Sequence, residues 1–502
     1  MKHKIDPTQK VLFDMERGRF SRIAARRIQE GWQGIFRSTL LALMPAEEMG
    51  RAFDSEMGRR TKELYAMAGL VVIAGLQGWT SEEAADAYMF DLSVQYALNV
   101  GHDQVELSAR SVERYQRLFR EQELAIKAFE RVTQELVRNL ELAVDKQRLD
   151  STHLFSNMAR FSRTQLLGVC IRRFLVSLRR HHNPEFAALD RELVQRYARS
   201  EKRLFGPVPK AAHQALREQT AKDLLTLIER FATHKQIAAR STYKNMVRVF
   251  EEQCEVVDEK IVIRKTCGGR VMQNPSDPDA TYDGHKGPGY QVQLSETCNP
   301  KNPVQLITSA IPQTAAEEDG DALKPVVETL DKQGFKPTKL LADTLYGSDE
   351  NQQYCEQEGI DLIAPVRGPE PKTEAITEKQ KRLAQRRAYQ QTESWKEEYR
   401  ARSGLEGTNS CLKRRLDLGR LRVRGRRSVF QVVLLKITGW NILRAAAALR
   451  KQTSRPRKAA SNPLPGLFSW LECAQWPPIA RFLPPIGWLR PDKFHSSNRC
   501  CA

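Results

Sequence analysis

The chain has 502 residues, room for roughly two to four domains and a real core, and its 41% hydrophobic content is ordinary for a soluble protein. The formal net charge of +19 favours a polyanionic partner, with nucleic acid ahead of an anionic membrane. The nine cysteines include no CxxC pair or zinc-ligand spacing, and the N-terminus MKHKIDPTQK has no apolar secretory segment. Reduced thiols in a cytoplasmic protein are therefore expected, with no membrane attachment, since the apolar run Met67 to Leu76 is too short to span a bilayer.

In chain order, Ile23 to Leu43 reads as an amphipathic helix carrying Arg26 and Arg27, and Thr61 to Gln77 as an apolar one. Gly78 and Trp79 break the pattern. Thr80 and Glu83 spell a capping box for a helix from Ser81 to Leu98. The next helix opens near Ser108 or Ser111 and carries Arg110, Arg114, Arg117 and Arg120, with helical pattern continuing to about Val144. This succession suits a helix-turn-helix reader of DNA, and equally a plain helical bundle.

The stretch from Lys146 to Asn157 alternates as a strand does, with Asp150 inside it. Aspartate is disfavoured in a strand interior, so it stands either at an exposed edge or as a metal ligand on a central strand. Residues 158–258 are basic and strongly helical, with runs at Thr164–Leu178, Asp190–Arg203 and Gln214–Thr233.

From Val256 the pattern changes to strands. Residues 274–290 hold Asp277, Asp279, Asp283 and His285 among turn formers, which is a turn signal before it is a metal loop. Residues 290–296 and 303–310 form an expected hairpin, and Ala322 to Gln333 a helix. KLLADTLY, residues 339–346, reads as a buried strand with Asp343 near its end, then a turn at Gly347 and Ser348 and a helix from Asp349 to Glu358. In open α/β sheets, chemistry gathers at the carboxyl ends of strands. A last strand is expected from Asp361 to Val366, and a charged connector over 369–394.

Between Tyr399 and Lys413 the spacing predicts one amphipathic helix. Tyr399, Arg402, Glu406 and Lys413 fall at steps of 3, 4 and 7, which stack side chains on one face. The bland reading is a solvated face with i,i+4 ion pairs. An arginine block follows, Arg414 to Arg427, then a helix from Val429 to Leu449 with Trp440 and Asn441. Lys451 to Ala502 reads as a weakly ordered Pro-rich tail.

The spacing Tyr-x2-Arg-x3-Glu-x6-Lys resembles the signature of DDE transposases of bacterial insertion sequences, and ADTLYGSDEN resembles their second-aspartate box. The resemblance covers residues 58–450. It implies an α/β fold: a ribonuclease-H-like mixed sheet at 141–450 with a helical insertion at 158–258. An all-α DNA-binding domain at 1–140 would precede it, and the 451–502 tail would follow. It implies Asp150, Asp343 and Glu406 as catalytic metal ligands, with Asp283 the alternative first acid. The gaps between the three are 193 (343−150) and 63 (406−343).

Three carboxylates suit two Mg²⁺ ions, with Mn²⁺ a substitute. Tyr399, Arg402, Lys413, Arg414, Arg110 and Arg114 would contact double-stranded DNA. Trp395, Tyr346 and Trp440 are candidate platforms for a flipped base. The implied reaction is cleavage at element ends and strand transfer by a dimer on nucleoid DNA. The alternatives are a structure-selective nuclease and a domesticated, inactive DNA-binding protein.

Overall fold

Every element before residue 140 is helical, as its sequence pattern requires. The computed structural model describes residues 1–5, 7, 20–101, 105–201, 204–206, 209–258, 260–368 and 377–454. The main helices here are α1 (Leu64–Gln77), α2 (Ser81–Phe90), α3 (Ala109–Glu121) and α4 (Leu124–Asn139). The Thr80/Glu83 capping box forms, and Gly78 ends α1 in the left-handed conformation at φ 72°.

Three expected long helices are broken. The 23–43 helix stops at Glu30 and resumes at Trp32. The 81–98 helix divides at Asp91, whose carboxylate caps a second helix, Leu92–Ala97, by accepting from the Ser93 and Val94 amides. The run toward Val144 is interrupted at Glu123, with φ 53°.

The insertion is helical as expected, led by α5 (Arg163–His181), α6 (His213–Phe231) and α7 (Ser241–Gln253). It has an apolar core of its own around Phe174, Leu224 and Met246. The 190–203 helix is shorter than its pattern, Arg191–Arg196. The expected 259–266 strand is one arm of a small hairpin, β2 (Cys254–Val257) with β3 (Lys260–Ile263), numbering the strand Lys146–Leu154 as β1.

The main sheet has the order β4-β5-β1-β7-β8, with β6 also paired to β5, where β4 is Thr281–Asp283, β5 Gly287–Thr297, β6 Ile307–Thr314, β7 Lys339–Leu341 and β8 Asp361–Ile363. The β5 strand runs antiparallel to β1 and β6, while β1, β7 and β8 run parallel to one another. This mixed sheet is consistent with a ribonuclease-H-like transposase fold. Its central strand is β1, so Asp150 does not stand at an edge.

Helices α8 (Leu323–Lys332) and α9 (Asp349–Gln357) provide the crossovers β6 to β7 and β7 to β8. Beyond β8 the chain forms α10 (Glu378–Gln390), α11 (Glu393–Arg400), α12 (Gly404–Arg415) and α13 (Arg426–Ser454). Part of the expected connector, 369–376, and the tail from residue 455 lie outside the described residues.

One apolar cluster runs from the N-terminal helices through the sheet to α13. Helices α1 and α13 meet at two glycines. A Cβ on Gly75 would lie 2.5 Å from Leu435 Cβ, and one on Gly439 would lie 2.5 Å from Leu76 Cδ1. Helix α13 is long and apolar enough to cross a membrane, which the short Met67–Leu76 run is not. However, 72% of its apolar window is buried inside the protein, as in a core helix.

Candidate active site

Asp150 sits on β1 opposite Leu294 of β5, its side chain 16% exposed. One carboxylate oxygen accepts from the Ser151 amide at 2.9 Å. The other lies 3.4 Å from Asn409 Nδ2 and 3.8 Å from Arg402 Nη1. Burial pushes the Asp150 carboxyl up to about 6; Arg402 and the Ser151 amide oppose this, and Asp343 and Asp319 add to it. Two further acids therefore share its surroundings.

Asp343 is not inside a strand as its sequence suggests. The β7 ladder ends at Leu341, and Asp343 caps a 3₁₀ turn, Thr344–Tyr346, by accepting from the Leu345 amide at 2.8 Å. A cap places the carboxylate just past the strand's carboxyl end.

The Tyr399–Lys413 segment is not one regular helix. Tyr399 ends α11, Arg402 lies in a 3₁₀ turn over Ala401–Ser403, and α12 carries Glu406, Asn409, Lys413 and Arg414. The i,i+4 relation of Arg402 to Glu406 survives the change, because the intervening backbone stays right-handed helical. Arg402 Nη2 lies 2.6 Å from Glu406 Oε1. Glu406 is 59% exposed, so its carboxylate faces solvent.

Arg402 is the hub of the group. Burial works against its charge, yet Tyr399, Asp150, Glu406 and Asp343 together hold it more firmly protonated than usual. Its guanidinium lies 5.7 Å from the Tyr399 ring centre, and that ring stacks on Trp395 with centroids 4.7 Å apart. Burial raises the Tyr399 hydroxyl. Burial and Lys286 lower the Lys413 ammonium, with Asp150 opposing.

The arginine block is brought alongside the far end of β1. The Phe155 amide donates to Gly419 O at 2.9 Å, and the Leu421 amide to Phe155 O at 2.8 Å. Arg414 is exposed at the end of α12. Arg110 and Arg114 stand on α3 instead, Arg110 exposed and Arg114 with its guanidinium 4.7 Å from the Phe53 ring centre.

Trp395, Tyr346 and Trp440 are all buried, so none offers a free ring face to a flipped base in this conformation. Asp283, the alternative first acid, turns the chain: it accepts from the His285 and Lys286 amides at 2.8 and 2.6 Å. Asp277 is fully buried and accepts from the Tyr290 hydroxyl.

Sequence reasoning missed three residues here. Asp319, 7% exposed, accepts from Ser151 Oγ and Gln293 Nε2, both at 2.8 Å, and lies 3.7 Å from Lys286 Nζ. Its stretch, EEDGDA, reads only as a loop. Asn409 follows Glu406 by three residues, a helical spacing that could have singled it out. Arg148 precedes Asp150 by two residues on the same strand face.

Among the described residues, no three His, Cys, Asp or Glu side chains are already spaced to hold a metal ion. Arg402 stands between Asp150 and Glu406, 3.8 Å from one carboxylate and 2.6 Å from the other. The donor chemistry nonetheless fits a hard divalent ion. Asp150, Asp343 and Glu406 offer carboxylate oxygens, and the Asn409 side-chain oxygen beside Asp150 is buried without a hydrogen-bond partner.

Residues 264–442 match the family model of the transposase DDE domain. The match supports a DDE transposase, a class of metal-dependent DNA-cleaving enzymes. It contains Asp343, Arg402, Glu406 and Lys413 and begins after Asp150. No curated protein and no solved structure matches the chain.

Proposed function

We propose that this protein is an insertion-sequence transposase that binds terminal inverted repeats, cleaves DNA at the element ends and joins them to a target. The observation that carries the reading is Asp150 on β1 with Asp343 just past the carboxyl end of the parallel neighbour β7, and Arg402 linking Asp150 to Glu406. Asp150, Asp343 and Glu406 would hold two Mg²⁺ ions, with Mn²⁺ as a substitute. Bound there, the ions would activate the attacking hydroxyl and stabilise the leaving oxygen of an in-line displacement.

The chain's own residues supply the rest. Arg402 matches a phosphate bidentately once it leaves Glu406, and Lys413 adds a point charge beside Asp150. Arg414 and the block to Arg427 track the backbone of the DNA. Arg110 and Arg114 serve the terminal repeat from the helical region, and a dimer pairs the two ends. The site of action is nucleoid DNA in the cytoplasm.

The test is Mg²⁺-dependent cleavage of DNA carrying the element's own ends, comparing wild type with Glu406→Gln. Equal activity in the two proteins removes Glu406 from the site. Cleavage that ignores the terminal repeat points to a structure-selective nuclease.

A further inference from the structure

The segment holding Arg402 and Glu406 is gripped on both sides by one buried ion pair that lies outside the Tyr-Arg-Glu-Lys spacing. Arg148 of β1 and Glu296 of β5 are direct partners in the antiparallel ladder. Arg148 Nε and Nη2 donate to Glu296 Oε2 at 2.8 and 2.5 Å. Glu296 is fully buried and the Arg148 side chain is 11% exposed. The remaining groups of the pair turn outward to the helical segment. Arg148 Nη1 donates to Ala401 O at 2.8 Å, just before Arg402. Glu296 Oε1 accepts from Thr408 Oγ1 at 2.8 Å, just after Glu406.

We propose that the Arg148–Glu296 pair is a positioning device that sets where Glu406 stands relative to Asp150, and through it the affinity of the site for its divalent ions. The proposal rests on the metal-ion reading given above. Three observations support it. First, a buried ion pair is a poor way to stabilise a sheet, since well-packed apolar residues do as well or better. What the pair adds is direction: among the described residues, every side-chain hydrogen bond it makes outside itself goes to Ala401 or Thr408.

Second, the β5–β6 ladder shifts register between Ser295 and Glu296. Such bulges re-aim a side chain beside active sites. Third, the fit is close. A Cβ on Gly404, midway between the two anchored positions, would lie 1.8 Å from Arg148 Nη1, so a larger residue there would have to displace the guanidinium from its partners. The same β1 face carries Arg148 and Asp150, so one strand fixes both the first acid and the anchor of the last.

The experiment uses the full chain with Thr408→Val, Glu296→Gln, Arg148→Lys and Arg148→Met. Mn²⁺ binding without DNA is measured by calorimetry, and the Mg²⁺ concentration for half-maximal cleavage is separated from kcat. Thr408→Val keeps the ion pair and its shape, so it guards against a variant that fails to fold. The expected result is Mn²⁺ affinity lowered about tenfold in Thr408→Val and more in Glu296→Gln, as for loss of other groups that orient metal ligands. The Mg²⁺ requirement should rise in parallel with little loss of kcat at saturating Mg²⁺, and Arg148→Lys should recover part of what Arg148→Met loses.

Folded Thr408→Val and Glu296→Gln proteins with wild-type Mn²⁺ affinity and Mg²⁺ requirement would overturn the positioning role alone, provided Asp343→Asn abolishes cleavage. A wild-type protein that binds no Mn²⁺ would overturn the metal-ion reading and this proposal with it.

Discussion

Asp343, two residues past the end of β7, lies within electrostatic reach of Asp150 on the parallel neighbour β1. The β1–β7 ladder pairs Lys146 with Lys339 and Arg148 with Leu341, an offset of 193 residues (339−146). Asp150 and Asp343 are separated by the same 193 residues (343−150), two positions beyond the last ladder pair. Two carboxylates so placed repel, and the Asp343 charge adds to the effect of burial on the Asp150 carboxyl.

That repulsion separates stability from activity. Asp343→Asn removes one of the two charges and should leave the melting temperature of the metal-free protein unchanged or slightly higher. Cleavage of end-bearing DNA should fall on the order of a thousandfold or more, as when other essential catalytic groups are removed. Thermal melting and a Mg²⁺-supported cleavage assay on one preparation check both halves. A variant that melts much lower would make Asp343 a structural residue.

Arg402 forms ion pairs with both Asp150 and Glu406. Arg402→Met should therefore bind Mn²⁺ in the absence of DNA about five- to tenfold more tightly, since a competing cation is gone. The same variant should bind and cleave DNA less well, because the phosphate contact proposed for Arg402 is lost. Calorimetry with Mn²⁺ alone, set beside a DNA-binding titration, reads the two effects independently.

The helical part has its own pH-sensitive tie. Glu48, in the short helix Ala46–Gly50, lies 2.5 Å from Arg131 and 3.3 Å from Lys127 of α4. Burial would raise its carboxyl, but the hydrogen bonds and charge of Arg131, with Lys127, hold it below its ordinary 4.5. A depressed carboxyl stabilises the fold above its unfolded value, and the contribution is lost as pH falls through the lower folded value. Glu48→Gln should cost about 1–2 kcal/mol at pH 7, modest because both cations are partly exposed. The difference in melting temperature from wild type should shrink toward zero below about pH 4.

Asn441 joins α13 to the sheet. Fully buried, it accepts from the Ile307 amide at 2.9 Å, donates to Ile307 O at 2.7 Å and reaches Thr133 of α4 at 3.2 Å. Asn441→Ala strands both backbone groups of Ile307 at the start of β6 and should cost about 2–4 kcal/mol. Denaturant unfolding checks the magnitude. A loss under about 0.5 kcal/mol would show that other groups satisfy Ile307.

Much of the local structure was legible because its causes are local. Thr80 and Glu83 cap the helix their spelling announced, the 290–296 strand pairs as a hairpin with a partner that begins at Ile307, four residues later than expected, and Arg402 meets Glu406 across one helical turn. The misreadings are also local in kind. Asp91 and Glu123 interrupt helices whose apolar pattern runs on, and the 3₁₀ turn at Ala401–Ser403 divides the signature segment. Periodicity records which face is buried, and a face can stay buried through a break in the hydrogen-bond ladder.

By itself the sequence determined a basic α/β chain, the side chains available for chemistry and the spacing that pairs Arg402 with Glu406. Only the tertiary structure decided that Asp150 lies on the central strand, that Asp343 and Asp319 share its surroundings, and that Arg148 and Glu296 reach Ala401 and Thr408 on either side of Glu406. The reason is that strand pairing joins residues nearly two hundred positions apart through backbone hydrogen bonds, which every residue but proline offers alike. No spacing rule within one segment records which strand will lie beside which.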